Sequence, residues 1–259
     1  MGTLLEKTRK GQRTTGSFLD TGSAASAECM AAAGLDYFIM DLEHSPYGIS
    51  EAVECIRAAE GRGISPLVRI PEISRAYILK LLDAGAEGIV IPAVRTLEEA
   101  ERIVEYGKYP PLGSRGYCPT RVNGFGSGPE LEDGLLSYLS RKNRELMLIP
   151  QCETAECLEV IDEVAALDGI DGIFIGPFDL SIAMGIPGDF SNPEFKKAIK
   201  RIKDAVHRAG KPVFIFCPDT ETALVRAGEG YDSLTVSLDT GFLTSAYAKL
   251  VKDLGTAGT

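Results

Sequence analysis

Eight short apolar runs punctuate this chain, and none of them alternates cleanly with polar residues. They are TTGSFLD (14–20), YFIMDLE (37–43), SPLVRI (65–70), GIVIPAV (88–94), LMLIPQC (146–152), GIFIGP (172–177), PVFIFC (212–217) and SLTVSL (233–238). A strand with one wet face alternates apolar and polar residues. A run that is apolar throughout belongs in a sheet covered on both faces, which is the habit of parallel sheets with crossover helices. The spacers agree. Helices are expected over 24–33, 50–60, 73–84, 96–106, 154–166, 193–209, 220–227 and 240–253. Ser50, Thr96 and Thr154 mark starts and Pro193 a first turn; Gly34, Gly61, Gly85, Gly107, Gly210 and Gly228 mark stops. Eight strand–helix pairs with no compositional break predict an α/β fold, one domain over 1–259, a single (β/α)8 barrel. The 259 residues suit it, since such barrels run to about 250. An open doubly wound sheet is the alternative, but no Gly-x-Gly-x-x-Gly follows the first run. Only residues 107–144 break the rhythm. They open GKYPPLGSRGYCPTRVNGFGSGPE, and a long Gly- and Pro-rich insertion in a compact barrel is expected to serve function or assembly.

Charge narrows the partners. At a net −10 the chain lacks the Lys and Arg surplus that nucleic acid or an anionic membrane requires. An anionic substrate would need a local arginine. Six cysteines are scattered without a Cys-x-x-Cys pair, which reads as reduced packing residues in a cytoplasmic protein. The N-terminal MGTLLEKTRKGQ is too charged for a secretory leader, and no run approaches the roughly 18 apolar residues of a membrane span.

Barrels of this kind carry their chemistry at the C-terminal ends of the strands. There the second run delivers Asp41, Glu43 and His44, the third Arg69, the fifth Gln151 and Glu153, the sixth Asp179, and the seventh Phe216. Glu153 and Asp179 come from neighbouring strands. Two carboxylates with open positions suit Mg²⁺ or Mn²⁺; helix capping is the plainer role for either taken alone. The Arg69 fork suits a substrate carboxylate, or else an ion pair with a rim acid. His44 is one of two histidines and the one placed to act as a base near neutral pH. His207, in the last turn of an expected helix, is expected to serve the helix dipole. No lysine falls within a strand core, which argues against Schiff-base chemistry; Lys211 precedes the seventh run at the wrong end.

The succession DLEHSPYG, LVRIP, LLDAGAEGIVIPAVRT, GSRGYCPTR, PQCETAECL and DGIFIGPFDLSIAMG is similar to the motifs of the HpcH/HpaI family of class II pyruvate aldolases. That family includes 4-hydroxy-2-oxoheptanedioate aldolase and the 2-keto-3-deoxy sugar acid aldolases. The resemblance covers nearly the whole chain. It implies a barrel that holds a divalent metal, Mg²⁺ or Mn²⁺ with Co²⁺ as a further candidate. It implies cleavage of 4-hydroxy-2-oxo acids to pyruvate and an aldehyde through a metal-bound pyruvate enolate. By motif, Glu153 and Asp179 resemble the metal ligands, His44 the general base, and Arg69 the enolate stabiliser. Gln151 and the Phe178–Asp179 backbone resemble the positions that hold the pyruvoyl end, and Asp83 the acid that raises the basicity of the histidine. Hexamers, as trimers of dimers, with the last helix exchanged between protomers, are the family's usual assembly. Oxaloacetate decarboxylation at the same site and a non-catalytic metabolite-binding barrel are the rival readings.

Two positions depart from the family. Phe178 stands where relatives have a small residue, often Ala, and Tyr117-Cys118-Pro119 replaces a Gly-Val-Gly-like step. Phe216 and the 113–126 loop are the candidates for shaping the aldehyde pocket. Topology places Asp83 at a helix end, at the far rim from His44, so an inward bend or a neighbouring protomer must bring the two together.

Overall fold

The structure, a computed structural model, describes residues 3–255. Eight parallel strands close into a barrel in sequence order. They are β1 (Thr14–Leu19), β2 (Tyr37–Asp41), β3 (Ser65–Arg69), β4 (Gly88–Ile91), β5 (Met147–Cys152), β6 (Ile173–Ile175), β7 (Val213–Cys217) and β8 (Ser233–Leu238). Each falls inside one of the apolar runs. The flanking helices are α1 (Leu4–Arg9), α2 (Ala24–Ala32), α3 (Ile49–Ala59), α4 (Arg75–Ala84), α5 (Leu97–Gly107), α6 (Leu135–Glu145), α7 (Ala155–Glu159), α8 (Ile161–Ala166), α9 (Pro177–Ala183), α10 (Pro193–Arg208), α11 (Thr220–Gly228) and α12 (Asp239–Asp253). The helix expected over 154–166 is broken at Val160 into α7 and α8. The Gly-Pro-Phe-Asp segment turns into α9, with Pro177 at its first position, where its missing N–H costs nothing.

The strands' lack of alternation has a direct cause: both faces are buried, against different partners. Tyr37, Ile39, Leu67, Val90, Met147, Ile149, Phe174 and Phe214 point into the barrel and pack as one cluster. Phe38, Met40, Val68, Ile89, Leu148 and Ile215 point outward into a second cluster beneath the helices. Burying side chains of this size stabilises by roughly 1.5–3 kcal/mol each. Leu4 and Leu5 of α1 close the lower end of the inner cluster, and the Leu4 N–H donates to Ser65 Oγ at 3.0 Å. Tyr37 crosses the interior to meet Thr235 Oγ1 at 2.7 Å. It passes so close to β1 that a Cβ on Gly16 would stand 2.4 Å from its ring.

The insertion is more ordered than its composition predicts. Two 3₁₀ turns (Arg121–Gly126 and Pro129–Leu131) lead into α6. The segment is tied down from within. Lys108, fully buried, donates to Asn143 O, Leu146 O and Asp171 Oδ2 at 2.9, 2.6 and 2.8 Å. Arg115 donates to Asp83 Oδ1 at 2.6 Å and stacks on Tyr109.

The last helix is a different case. α12 leaves Phe242, Leu243, Tyr247 and Leu250 exposed, as is Leu254 just after it. Beside it, an apolar groove of about 400 Å³ runs over β1 and β8, lined by Leu35, Ala223, Leu224, Leu234, Val236 and Phe242. Among the described residues no helix is long and apolar enough to cross a membrane.

Candidate active site

The rim at the C-terminal strand ends gathers most of the residues singled out from the sequence. Strand register explains how. Asp41 ends β2 directly opposite Arg69, the end of β3. Adjacent parallel strands hold such a pair at one height, and the guanidinium closes on the carboxylate with both arms: Nε to Oδ1 at 2.8 Å and Nη2 to Oδ2 at 2.7 Å. Nη1 lies 3.3 Å from Glu43 Oε2, and the Phe18 ring sits 4.5 Å from the guanidinium carbon. Arg69 is thus held in one orientation by an ion pair, a second acid and an aromatic face. Burial would raise the Asp41 carboxyl, but the Arg69 hydrogen bonds and charge outweigh it and hold the group below the usual carboxylate range. Glu43 shows the reverse balance: burial pushes it up, and Arg69 and His44 only partly oppose that.

Glu153 follows β5 and is 6% exposed. Its two oxygens are each met by one N–H. Ala93 N donates to Oε1 at 2.7 Å and Gln151 Nε2 to Oε2 at 2.5 Å. Ala93 does so from a left-handed backbone conformation, φ 55°, which costs an L-residue on the order of 1–2 kcal/mol. Gly176 provides the space: a Cβ there would lie 2.4 Å from Glu153 Oε2. Burial pushes the Glu153 carboxyl up to about 7; Asp179 and Glu43 add to this, while the Ala93 N–H and Arg69 oppose it. The neighbouring Gln151 Oε1 is buried and has no hydrogen-bond partner.

Between these groups lies a cavity of about 150 Å³. His44, Arg69, Gln151 and Asp179 supply its polar wall. Phe18, Phe174, Pro177, Phe178, Phe216 and Leu238 supply the apolar one. The His44 side chain is 65% exposed, with Nε2 3.7 Å from Glu43 Oε2. Asp83 stands apart. In the last turn of α4 it meets Arg115, and no contact joins it to His44 within the chain. The inward bend that would have joined them is not what the chain adopts. His207 sits in the last turn of α10 as expected and bonds Asp232 Oδ2 at 2.8 Å.

The two carboxylates expected from the sequence to meet a cation both stand at this rim, Asp179 in the cavity wall and Glu153 hydrogen-bonded to the lining Gln151. No group of three or more His, Cys, Asp or Glu side chains is gathered closely enough to hold a metal among the described residues. The two carboxylates and the unpartnered Gln151 carbonyl are hard oxygen donors of the kind that suits Mg²⁺ or Mn²⁺.

Three features of the rim were not identified from the sequence. Asp20 directly follows β1 much as Asp41 ends β2. Burial, with Asp41 and Asp239 adding, pushes its carboxyl up to about 6, and its Oδ1 is buried without a partner. That parallel was the available signal. The Ala93 N–H and the space at Gly176 carry none, since both depend on where another strand's side chain ends.

The comparisons agree with this geometry. Residues 14–245 match the model of the HpcH/HpaI aldolase/citrate lyase family. The hydroxypyruvate/pyruvate aldolase of Sagittula stellata is 38% identical over 239 residues, 92% of each chain. The 5-keto-4-deoxy-D-glucarate aldolase of Shigella dysenteriae is 35% identical over 226 residues, covering 87% of this chain and 86% of that one. The crystal structure of an HpcH/HpaI aldolase from Desulfitobacterium hafniense superposes with a TM-score of 0.90 at 32% identity, over 98% of this chain and 97% of that one. With its barrel, its acid-and-arginine rim and these relatives, the chain belongs to the HpcH/HpaI aldolase/citrate lyase family and is a carbon–carbon lyase of the aldolase type.

Proposed function

We propose that the protein cleaves, and in reverse forms, 4-hydroxy-2-oxo acids, giving pyruvate and an aldehyde by way of the pyruvate enolate. The carrying observation is that a fixed arginine, a histidine, an amide and the Asp179 carboxylate line one small cavity, with the buried Glu153 hydrogen-bonded to the lining Gln151. Gln151 and the Phe178–Asp179 backbone hold the pyruvoyl end. His44, directly or through a water, takes the C4 hydroxyl proton. The C3–C4 bond then breaks, its electron pair stays on the three-carbon fragment, and Arg69 meets the charge that develops there. One such fixed group is typically worth ~10²–10³ in rate. Glu153 and Asp179 would hold a divalent cation, Mg²⁺, Mn²⁺ or Co²⁺. When bound it supplies Lewis acidity beside a group that is otherwise short of positive charge.

The assembly in this reading is a homohexamer, a trimer of dimers. The apolar face of α12 and the groove over β1 and β8 support it, because a copy's last helix laid in that groove would bury both. Asp83, at the opposite end of α4 from the rim, then acts across protomers. The chain works as one domain with 107–144 on its outer side. Six unpaired cysteines, four of them buried, suit the reducing cytoplasm. Small 2-oxo acids and aldehydes are its partners, without nucleic acid or membrane.

Pyruvate release from a 4-hydroxy-2-oxo acid, coupled to lactate dehydrogenase, tests the activity. His44→Ala and Arg69→Ala should each lower kcat, and EDTA should abolish turnover until Mn²⁺ or Mg²⁺ is returned. Unchanged kcat in either variant removes that residue's role. Full activity in EDTA removes the metal.

A further inference from the structure

The aromatic wall of the cavity is braced ring against ring. Phe216 stands 5.9 Å from Phe18 and 6.1 Å from Phe178, centroid to centroid. Phe178 is 44% exposed, yet its ring is not a free flap. It packs edge-on against Phe190 at 5.0 Å, and Phe190 rests at 5.3 Å on Phe195, which is fully buried in the core. Moving Phe178 aside therefore disturbs a chain of ring contacts that ends under α10. The space beside these rings, about 150 Å³ and open to solvent on one side, falls below the ~300–1,000 Å³ usual for small-molecule sites. A 2-oxo acid and an aldehyde must share it.

Charge sets a second limit. Of the described residues that line the cavity, only His44 and Arg69 can be positive. The fork of Arg69 is engaged by Asp41, and its remaining arm faces Glu43. Asp20 and Glu43 stand at the same rim, with charges that act on Asp41, Arg69 and His44. A second carboxylate, on the aldehyde partner, would lose water here and gain acids as neighbours. No spare cation lines the cavity to receive it.

We propose that Phe178 and Phe216 are specificity-determining residues that restrict the aldehyde to short, uncharged molecules of about two to four carbons. The inference rests on the aldolase reading above and narrows its substrate class. In the synthetic direction a proton leaves pyruvate C3, that carbon bonds the aldehyde carbonyl carbon, and the carbonyl oxygen takes up a proton to become the C4 hydroxyl.

The test uses the full-length protein with added MnCl₂ and two readouts. The first is exchange of the pyruvate methyl protons in D₂O without aldehyde, followed by NMR. The second is kcat/KM for pyruvate addition to acetaldehyde, propanal, hexanal and succinic semialdehyde. Wild type should exchange, and should favour acetaldehyde and propanal over both hexanal and succinic semialdehyde by about tenfold or more. Phe178→Ala and Phe216→Ala should raise the hexanal-to-propanal ratio by about tenfold and leave succinic semialdehyde poor, because charge and not size excludes it. Phe178→Leu gives a milder version of the same shift if the alanine variants do not fold. Exchange with succinic semialdehyde used as well as propanal overturns this inference alone. So does a hexanal ratio that stays at the wild-type value in variants that still exchange. Absence of exchange in wild type overturns the aldolase reading and this inference with it.

Discussion

Two cations, Lys108 fully buried and Arg69 largely buried, show how the same physical device serves two purposes. Lys108 anchors the insertion, and Arg69 stands at the rim. Lys108 has three donors and three acceptors, two backbone carbonyls and the Asp171 carboxylate, and its side chain is 1% exposed. Burial pulls its pKa down and Asp171 pulls it back up. Its direct partners are all satisfied. Arg69 is also held by a carboxylate, but it opens on a cavity. Around it stand groups whose needs are unmet: the Gln151 carbonyl, one oxygen of Asp20, and a glutamate pushed toward neutrality. A structural charge is saturated where it lies. A charge kept for chemistry sits among neighbours that something else must complete.

The contrast can be broken by substitution. Removing Lys108 should act on stability alone. Lys108→Ala leaves two backbone carbonyls without their lysine donor and strips Asp171 of its direct cation, with only the Leu148 N–H still on its carboxylate, so unfolding free energy should drop by about 3–5 kcal/mol, read by denaturant titration. The fraction that stays folded should turn over at close to the wild-type rate. Removing Arg69 should act on both. Arg69→Ala should cost ~10²–10³ in kcat and also destabilise, because Asp41 is left as a buried, unpaired charge. Adding Asp41→Asn should restore much of the stability and none of the activity. If the double variant recovers turnover, Arg69 is a structural cation like Lys108.

Gly176→Ala probes the rim without touching charge. A methyl at 2.4 Å must displace the Glu153 carboxylate, and a shift of about 1 Å typically costs ~10²-fold. A matched Gly→Ala change at Gly61, which has open space around its Cβ position, should leave kcat alone and cost only the strain of its positive φ.

The last test reads a slope of stability with pH. Glu153 binds its proton more tightly folded, at about 7, than the ordinary value of 4.5. The folded state then holds more protons than the unfolded one between these values. Stability of the metal-free protein should fall as pH rises from about 4.5 to 7 and level off above. Asp20, raised to about 6, adds to the same slope, so Glu153→Gln should make that part of the curve shallower without abolishing it, and saturating Mn²⁺ should do the same, since a cation favours the carboxylate. A metal-free curve that climbs through this window would mean that Glu153 is paired in a way its contacts do not show.

Much of the architecture is local information. Each apolar run needs only its own composition to declare itself a strand covered on both faces, and each helix carries its own stops. Hence all eight strands and the main helix after each were readable in advance, while α1, α6, α9 and the break at Val160 were not. Motif order likewise placed Glu153, Asp179, His44 and Arg69 on one rim. The insertion was less legible: its Gly and Pro content hides α6 and the Lys108 anchor, because that lysine's partners lie 35 to 63 positions away. Asp83 looked like a companion for His44 by motif alone, whereas its contacts are with Arg115.

From its own letters the chain determined the barrel, the end of it that carries the chemistry, and the residue types available there. Which acid takes the arginine, which glycine makes room for the glutamate, and how closely the phenylalanines shut the cavity were decided only by tertiary structure. The physical reason is range. Hydrophobic patterning acts over a few neighbouring residues and is written in the order of the chain. Ion pairing and steric exclusion act over a few ångströms, and those ångströms exist only once strand register has brought Asp41 beside Arg69 and Gly176 beside Glu153.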